Sequence, residues 1–173
     1  MRSLIPVLIL LLSLPCVAPA QQGFGDDLLN ELAGTWVMTG TIAGDAVVHD
    51  LDASWVLDGF YLQFHEIARA VTDEGKPAYE AIVTFGWDPE HDRYVCLWLD
   101  STGGTGLTNG ILGYGKREGD SIPLVFADGA DSAIHNTFQY RRESDSWRWI
   151  IENVRGEERS LFADVTLERR QAP

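Results

Sequence analysis

Glu66 and Tyr140 are the residues of this sequence whose type and position suit acid–base chemistry. Glu66 continues the alternation set by Phe60, Leu62 and Phe64, so its carboxyl group is predicted to share their apolar face of a strand. Tyr140 is in phase with apolar neighbours in the same way. Burial raises the pKa of a carboxyl group, because it disfavours the charged form, and this suits the group to exchange a proton near neutral pH. Both residues are therefore catalytic candidates, although such residues also serve as hydrogen-bonding partners at strand ends.

The spacing of the histidines predicts no metal site. The four histidines are His49, His65, His91 and His135. No two of them lie at the spacing that brings metal ligands together on one strand or helix, and no cysteine accompanies them. His65 and His135 fall in the middle of predicted strands, on the face opposite the aromatic residues unless a one-residue bulge reverses it.

Apolar and polar residues alternate after Gly34 in segment after segment, with turn residues between, and this pattern is typical of β-strands. No helical pattern separates the segments, so we expect antiparallel pairing of neighbours. Closing the sheet hides its edges, which predicts an all-β, up-and-down antiparallel barrel of about ten strands. The predicted strands are residues 35–42, 51–57, 60–70, 79–87, 94–100, 107–116, 122–126, 133–142, 146–154 and 160–169. A short helix from Asp26 to Leu32, capped by Asp26 or Asp27, is expected to plug or flank this barrel.

Aromatic residues recur on the face that the alternation turns inward. A barrel of this size either fills its interior with side chains or holds one small ligand there. Aromatic and aliphatic walls with few polar groups are typical of pockets for apolar ligands. The residues predicted to bind such a ligand are Trp55, Phe64, Phe85, Trp98, Phe138 and Trp147. A filled core built from the same side chains is the alternative.

The first 20 residues are organised like a signal peptide. A positive start is followed by an apolar run over residues 4–14 and by small residues just before Gln21. This predicts cleavage before Gln21, a periplasmic or secreted location, and a single domain over residues 21–173. An uncleaved anchor and lipidation of Cys16 are the alternatives.

Acidic residues dominate the charge of the chain. The sequence has 26 acidic and 13 basic residues, a formal net charge of −13. This charge argues against nucleic acid and anionic membrane surfaces as partners. Once the signal peptide is removed, Cys96 is the remaining cysteine, so the domain is expected to fold without an internal disulfide.

Three stretches of the sequence are similar to a known family. They are Leu32-Ala33-Gly34-Thr35-Trp36, then Trp55-Val56-Leu57-Asp58-Gly59-Phe60-Tyr61-Leu62, and then Phe85-Gly86-Trp87-Asp88-Pro89 with Tyr94, Trp98 and Asp100 beyond it. In this order they resemble a bacterial family of lipocalin-like, calycin-type barrels catalogued as a domain of unknown function, number one-five-seven-nine. The resemblance covers nearly all of the chain after the signal peptide, with Trp87 where the family usually has tyrosine. It implies a fold and brings no established catalytic residues.

The resemblance also adds an alternative, because related calycin-type barrels hold haem through a single histidine. His65 and His135 are the candidates for such a ligand. The main prediction is a binding module that holds a small, largely apolar molecule in the barrel and needs no cofactor. An enzyme that uses an inward acid–base residue and a haem-binding barrel are the alternatives.

Overall fold

The computed structural model describes residues 23–103, 111–127 and 129–171. The predicted signal peptide, residues 1–20, lies outside them. The chain forms one α-helix, ten strands and a single 3₁₀ turn over Arg142–Ser144 within these residues. In order, the elements are α1 (Asp27–Leu32), β1 (Gly34–Ile42), β2 (Asp45–Val56), β3 (Tyr61–Ala68), β4 (Glu80–Asp88), β5 (Arg93–Asp100), β6 (Ile111–Gly115), β7 (Ser121–Ala127), β8 (Ser132–Arg141), β9 (Ser146–Arg155) and β10 (Glu158–Arg169).

The strands close into one antiparallel barrel, which confirms the predicted fold class. Each strand pairs with its neighbours in the chain, and β1 pairs with β10 to complete the ring. Buried and less buried residues alternate along most strands, as in Leu62, Phe64, Glu66 and Ala68 of β3. Each of the ten described strands has a neighbour on both sides, which is how an all-β chain avoids exposing backbone hydrogen-bonding groups.

Helix α1 covers one end of the barrel. The Asp26 carboxylate caps it by accepting a hydrogen bond of 2.7 Å from the backbone N–H of Leu29. Leu28, Leu29 and Leu32 are buried against the strand ends. A helix this short has marginal stability alone, so these contacts are what hold it in place.

Side chains of the barrel satisfy the carbonyl groups at the C-terminal end of α1. Trp36 Nε1 donates to the Leu32 carbonyl at 2.7 Å, and Trp147 Nε1 donates to the Glu31 carbonyl at 3.3 Å. The Arg169 guanidinium donates to the carbonyls of Ala33 and Glu31 at 2.7 and 2.9 Å. These carbonyls have no partner within a helix, so the barrel supplies what the helix lacks.

The backbone conformation and surroundings of Gly34 explain why the Gly-x-Trp stretch needs a glycine. Its φ is +131°, and a Cβ atom there would lie 2.5 Å from a terminal nitrogen of Arg169. The Arg169 guanidinium lies 3.9 Å from the centre of the Trp36 ring. A side chain at position 34 would therefore displace the arginine that ties the helix to the barrel.

The middle of the barrel is a packed aromatic layer. The Phe64 ring centre lies 6.2 Å from those of both Phe85 and Phe138, and Phe85 and Phe138 are 5.4 Å apart. Phe138 stacks on Trp149 at 4.8 Å with an angle of 17° between the ring planes. On the α1 side of this layer, Trp36, Leu62 and Trp147 are completely buried and fill the interior.

Strand β2 is longer than the sequence pattern predicted. It begins at Asp45, whereas the predicted strand begins at residue 51. Val47 and His49 extend the inward alternation of Leu51 and Ala53.

Within the described residues there is no helix long and apolar enough to cross a membrane.

Candidate ligand cavity

A cavity of about 570 Å³ lies at the end of the barrel opposite α1. Its volume falls within the range of about 300–1,000 Å³ that is typical of small-molecule sites. Most of its lining is apolar. The lining residues are Ile42, Asp45, Val47, His49, Glu66, Ala68, Ala70, Ala78, Tyr79, Trp98, Asp100, Thr102, Ile111, Phe126, Ile134, Asn136, Trp149, Ile151, Asn153 and Phe162.

Side-chain size explains why the cavity lies at this end. Ala68 is buried in the cavity wall, where its small methyl group leaves space open, and the exposed Ala70 and Ala78 border the cavity. Trp98 and Trp149 lie 5.2 Å apart between ring centres and separate the cavity from the aromatic layer below. The barrel interior is thus neither wholly open nor wholly filled: the half near α1 is packed, and the other half holds the cavity.

His49 and Glu66 form a buried pair in the cavity wall. His49 Nδ1 lies 2.5 Å from Glu66 Oε1, and the two residues are 5% and 1% exposed. His49 alternates with the inward residue Leu51 on β2, and Glu66 alternates with the inward residue Phe64 on β3. Leu51 pairs with Glu66 across the two strands, which brings His49 and Glu66 close together. Buried charged groups occur in proteins mainly where they are paired in this way.

The second oxygen of Glu66 is left without a partner. No group in the described part of the chain donates a hydrogen bond to Glu66 Oε2, although the atom is buried. Desolvation by burial raises the pKa of Glu66; the hydrogen bond from His49 opposes this shift, and the nearby charge of Asp100 adds to it. A buried polar atom with no partner is uncommon in a folded protein, and the residue that carries this one lines the cavity.

Asp100 lies on the same rung of the sheet as Glu66, two strands away. Glu66 pairs with Ala81, and Ala81 pairs with Asp100. Asp100 Oδ1 accepts hydrogen bonds from the Thr102 N–H and hydroxyl at 2.8 and 2.6 Å and from the Gly103 N–H at 3.1 Å. Its Oδ2 accepts one from Trp98 Nε1 at 3.2 Å. These donors fix a second carboxylate at the cavity wall.

Tyr79 is another polar residue of the cavity wall, next to His49. Its ring stacks on the His49 imidazole with 5.8 Å between ring centres and 24° between planes. Desolvation, and then the charges of Glu66 and Asp100, raise the pKa of the Tyr79 hydroxyl well above its usual range. Tyr79 therefore remains a neutral phenol at physiological pH.

The predicted ligand-binding residues divide between the cavity and other parts of the barrel. Trp98 lines the cavity. Phe64, Phe85 and Phe138 lie in the aromatic layer beneath it. Trp55 and Trp147 lie at the helix-covered end, where Trp55 Nε1 donates to Asn30 Oδ1 at 2.7 Å and Trp147 donates to α1.

The two catalytic candidates lie at opposite ends of the barrel. Glu66 lines the cavity, as its predicted inward phase requires. The Tyr140 hydroxyl lies at the other end, 3.0 Å from Asp145 Oδ1 and 3.4 Å from Glu31 Oε2. Burial and then these two carboxyl groups raise the pKa of Tyr140 to about 12. The two residues therefore cannot act on one substrate.

The two haem-ligand candidates lie on the outer surface. His65 Nε2 is 2.6 Å from Glu80 Oε1, and its side chain is 41% exposed. His135 alternates with the inward residues Ile134 and Asn136 of β8, so it faces outward too. His49 is the histidine that lines the cavity among the described residues.

His49 and Asp100 are important cavity residues that the sequence pattern does not predict, whereas the alternation does turn Trp149 inward. His49 lies two residues before the predicted strand, although its phase matches Leu51 and Ala53. Asp100 is in phase with Trp98 at the end of β5. Trp149 Nε1 donates to Asn136 Oδ1 at 3.0 Å, a contact between neighbouring strands that alternation alone does not predict.

Comparisons with known proteins show a likeness in fold to a solved structure. No family model matches the chain, and no curated protein matches it. Among solved structures the chain is similar to Rv2717c from M. tuberculosis, with a TM-score of 0.56 and 16% sequence identity, over 83% of this chain and 95% of that chain. At this level of identity the likeness concerns the barrel fold alone.

Proposed function

We propose that this protein binds a small, largely apolar molecule in the cavity opposite α1. The observation that carries the proposal is the cavity itself, about 570 Å³ in volume and lined mainly by apolar side chains. Apolar walls that face water gain free energy when a ligand covers them, at about 25 cal/mol per Å² of apolar surface. The packed layer formed by Phe64, Phe85 and Phe138 supports this role, because it gives the cavity a rigid base.

A cavity-filling substitution tests the proposal directly. Ala68 lines the cavity and is 5% exposed, so Ala68→Phe should place a ring in the space that the ligand needs. Ala46 lies on β2 and is exposed, so Ala46→Phe makes the same chemical change outside the cavity. Binding of 1-decanol, measured by isothermal titration calorimetry, should be lost in the first variant and retained in the second. Equal binding by both variants would place the ligand elsewhere.

The His49–Glu66 pair favours a second candidate function, an enzyme that moves a proton. A carboxyl group with a raised pKa, held by an imidazole at 2.5 Å, is a common arrangement for general acid–base catalysis. In that case a molecule that enters the cavity would leave it chemically changed. Mass spectrometry of co-purifying compounds before and after long incubation separates the two candidates, since a binding module returns its ligand intact.

We also propose that residues 1–20 are a cleaved signal peptide and that the protein is periplasmic or secreted. The support is the order of charged, apolar and small residues within the first 20 positions. N-terminal sequencing of the protein from its natural host tests this, and the expected first residue is Gln21. A sequence that begins at Met1 would contradict it.

A further inference from the structure

We infer that the ligand is an amphiphilic amine, whose protonated amino group binds Glu66 Oε2 while its apolar part fills the cavity. This inference rests on the proposed function, because it concerns the occupant of the same cavity. It names the chemical class of that ligand: an ammonium head attached to an alkyl or aryl body.

The first argument is the unsatisfied acceptor. Glu66 Oε1 is occupied by His49 at 2.5 Å, whereas Glu66 Oε2 is buried and has no donor among the described residues. The ionised form of Glu66 accepts hydrogen bonds at both oxygens, and a cationic donor beside Oε2 favours that form. Leaving such an atom unpaired destabilises the folded state, and a ligand that donates to it removes that cost.

The second argument is the sign of the charge around the cavity. Asp45, Glu66 and Asp100 line it, and among the described lining residues there is no lysine or arginine. His49 is the one basic side chain among the described lining residues, and the three carboxyl groups outnumber it. Like charges repel strongly at short range in a poorly solvated site, so a carboxylate ligand is disfavoured and a cation is favoured.

The third argument is the position of the two inner carboxylates. Glu66 and Asp100 lie on one rung with Ala81 between them. Neighbouring strands are about 4.8 Å apart, so the two carboxylate-bearing strands are only about 10 Å apart. Asp100 already accepts hydrogen bonds from Thr102, Gly103 and Trp98, so it contributes mainly its charge, whereas Glu66 offers a free oxygen.

The aromatic rings beside the carboxylates suit the same ligand. The rings of Tyr79 and Trp98 both line the cavity next to the acidic residues. The face of an aromatic ring attracts a cation, and it also packs well against the first methylene groups of an alkyl chain. An aliphatic amine is protonated at neutral pH, with a pKa near that of lysine, about 10.4.

Three ligands that share one alkyl chain test the inference on the unmodified protein. The affinities of decylamine, 1-decanol and decanoate are measured by calorimetry at low salt and neutral pH, below the concentrations at which they form micelles. We expect decylamine to bind about tenfold or more tightly than 1-decanol, and decanoate to bind most weakly. If decanoate or 1-decanol binds as well as the amine, the inference is wrong while the proposed function stands. If none of the three binds, both fail.

A matched pair of variants locates the effect. Glu66→Gln removes the negative charge of Glu66 from the cavity wall. Glu80→Gln makes the same change at an exposed residue that pairs with His65. Decylamine should bind about tenfold or more weakly to the first variant and lose its advantage over 1-decanol there, and the second variant should resemble the wild type. An equal loss of decylamine affinity in both variants would overturn the inference. Thermal melts confirm that each variant is folded.

Discussion

His49 Nδ1 contacts Glu66 Oε1 at 2.5 Å, whereas Glu66 Oε2 is buried and has no hydrogen-bond partner in the described part of the chain. A fold selected for stability alone would not place a carboxyl group there, because its burial is costly and only half compensated. Sites where local rules are broken are where function is expected. The pair therefore links the stability of this protein to its proposed binding role, and the link can be measured.

Glu66→Gln should increase the stability of the protein at neutral pH. The amide carries no charge, so it avoids the desolvation that raises the pKa of Glu66. We expect a gain of about 1–3 kcal/mol in the free energy of unfolding, measured by urea denaturation at pH 7. Glu80→Gln should change stability little, because Glu80 is an exposed residue. A large loss of stability in Glu66→Gln would contradict this account.

The stability gained by Glu66→Gln should depend on pH. A raised pKa means that the folded protein holds the Glu66 proton more tightly than the unfolded chain, whose carboxyl groups titrate near 4.5. The stability of the wild type therefore falls as the pH rises above about 4.5. The stability advantage of Glu66→Gln should shrink as the pH is lowered towards about 4.5. His49, Tyr79 and Asp100 face the same cavity, so the comparison uses the difference between the two proteins at each pH.

Tryptophan fluorescence should report ligand binding mainly through two of the six tryptophans. Trp98 and Trp149 line the cavity, whereas Trp55 contacts Asn30 at the helix-covered end. Trp98→Phe should therefore remove a large part of the fluorescence change that 1-decanol produces, and Trp55→Phe should leave it nearly intact. If Trp55→Phe abolished the change instead, the ligand would bind at the end covered by α1.

Arg169→Lys should destabilise the barrel without affecting binding. Lysine cannot reproduce the forked hydrogen bonds to the Ala33 and Glu31 carbonyls or the contact with the Trp36 ring. We expect a loss of about 1–3 kcal/mol, seen as a lower Tm. Arg159→Lys is the control, because Arg159 pairs with Glu152 on the surface at 3.3 Å. Affinity for 1-decanol should stay unchanged in both variants, and weakened binding in Arg169→Lys would show that the two ends are coupled.

Cys96 should be inert in the folded protein. It is completely buried, and desolvation raises the pKa of its thiol well above the usual range, which disfavours the reactive thiolate. A thiol reagent such as Ellman's reagent should react with Cys96 in urea and hardly at all in buffer. Rapid reaction in buffer would show that this part of the barrel opens readily.

The barrel could be predicted because its signal repeats along the whole chain. Each strand turns apolar residues inward at every second position, as Leu62, Phe64 and Glu66 show, and the absence of helical segments between strands favours sequential pairing. The helix was predicted from Asp26 and three leucines, and the structure confirms its cap and its buried face. The same alternation correctly placed Glu66 inside.

The cavity could not be predicted in the same way, because alternation gives the face of a residue and not its height along the barrel axis. Trp98, Phe138 and Trp147 all point inward, but they lie in the cavity wall, the packed layer and the helix-covered end respectively. Height depends on the register between strands, and a shift of two residues changes the height while it preserves the alternation. The His49–Glu66 pair needed that register as well, since the two residues lie on different strands.

A crystal structure of the protein with decylamine is the most direct test of the central claim. We predict that the alkyl chain lies in the cavity against Trp98 and Trp149 and that the nitrogen lies within hydrogen-bond distance of Glu66 Oε2. A ligand bound beside Trp55 at the helix-covered end, or one whose nitrogen points to solvent away from Glu66, would contradict the account.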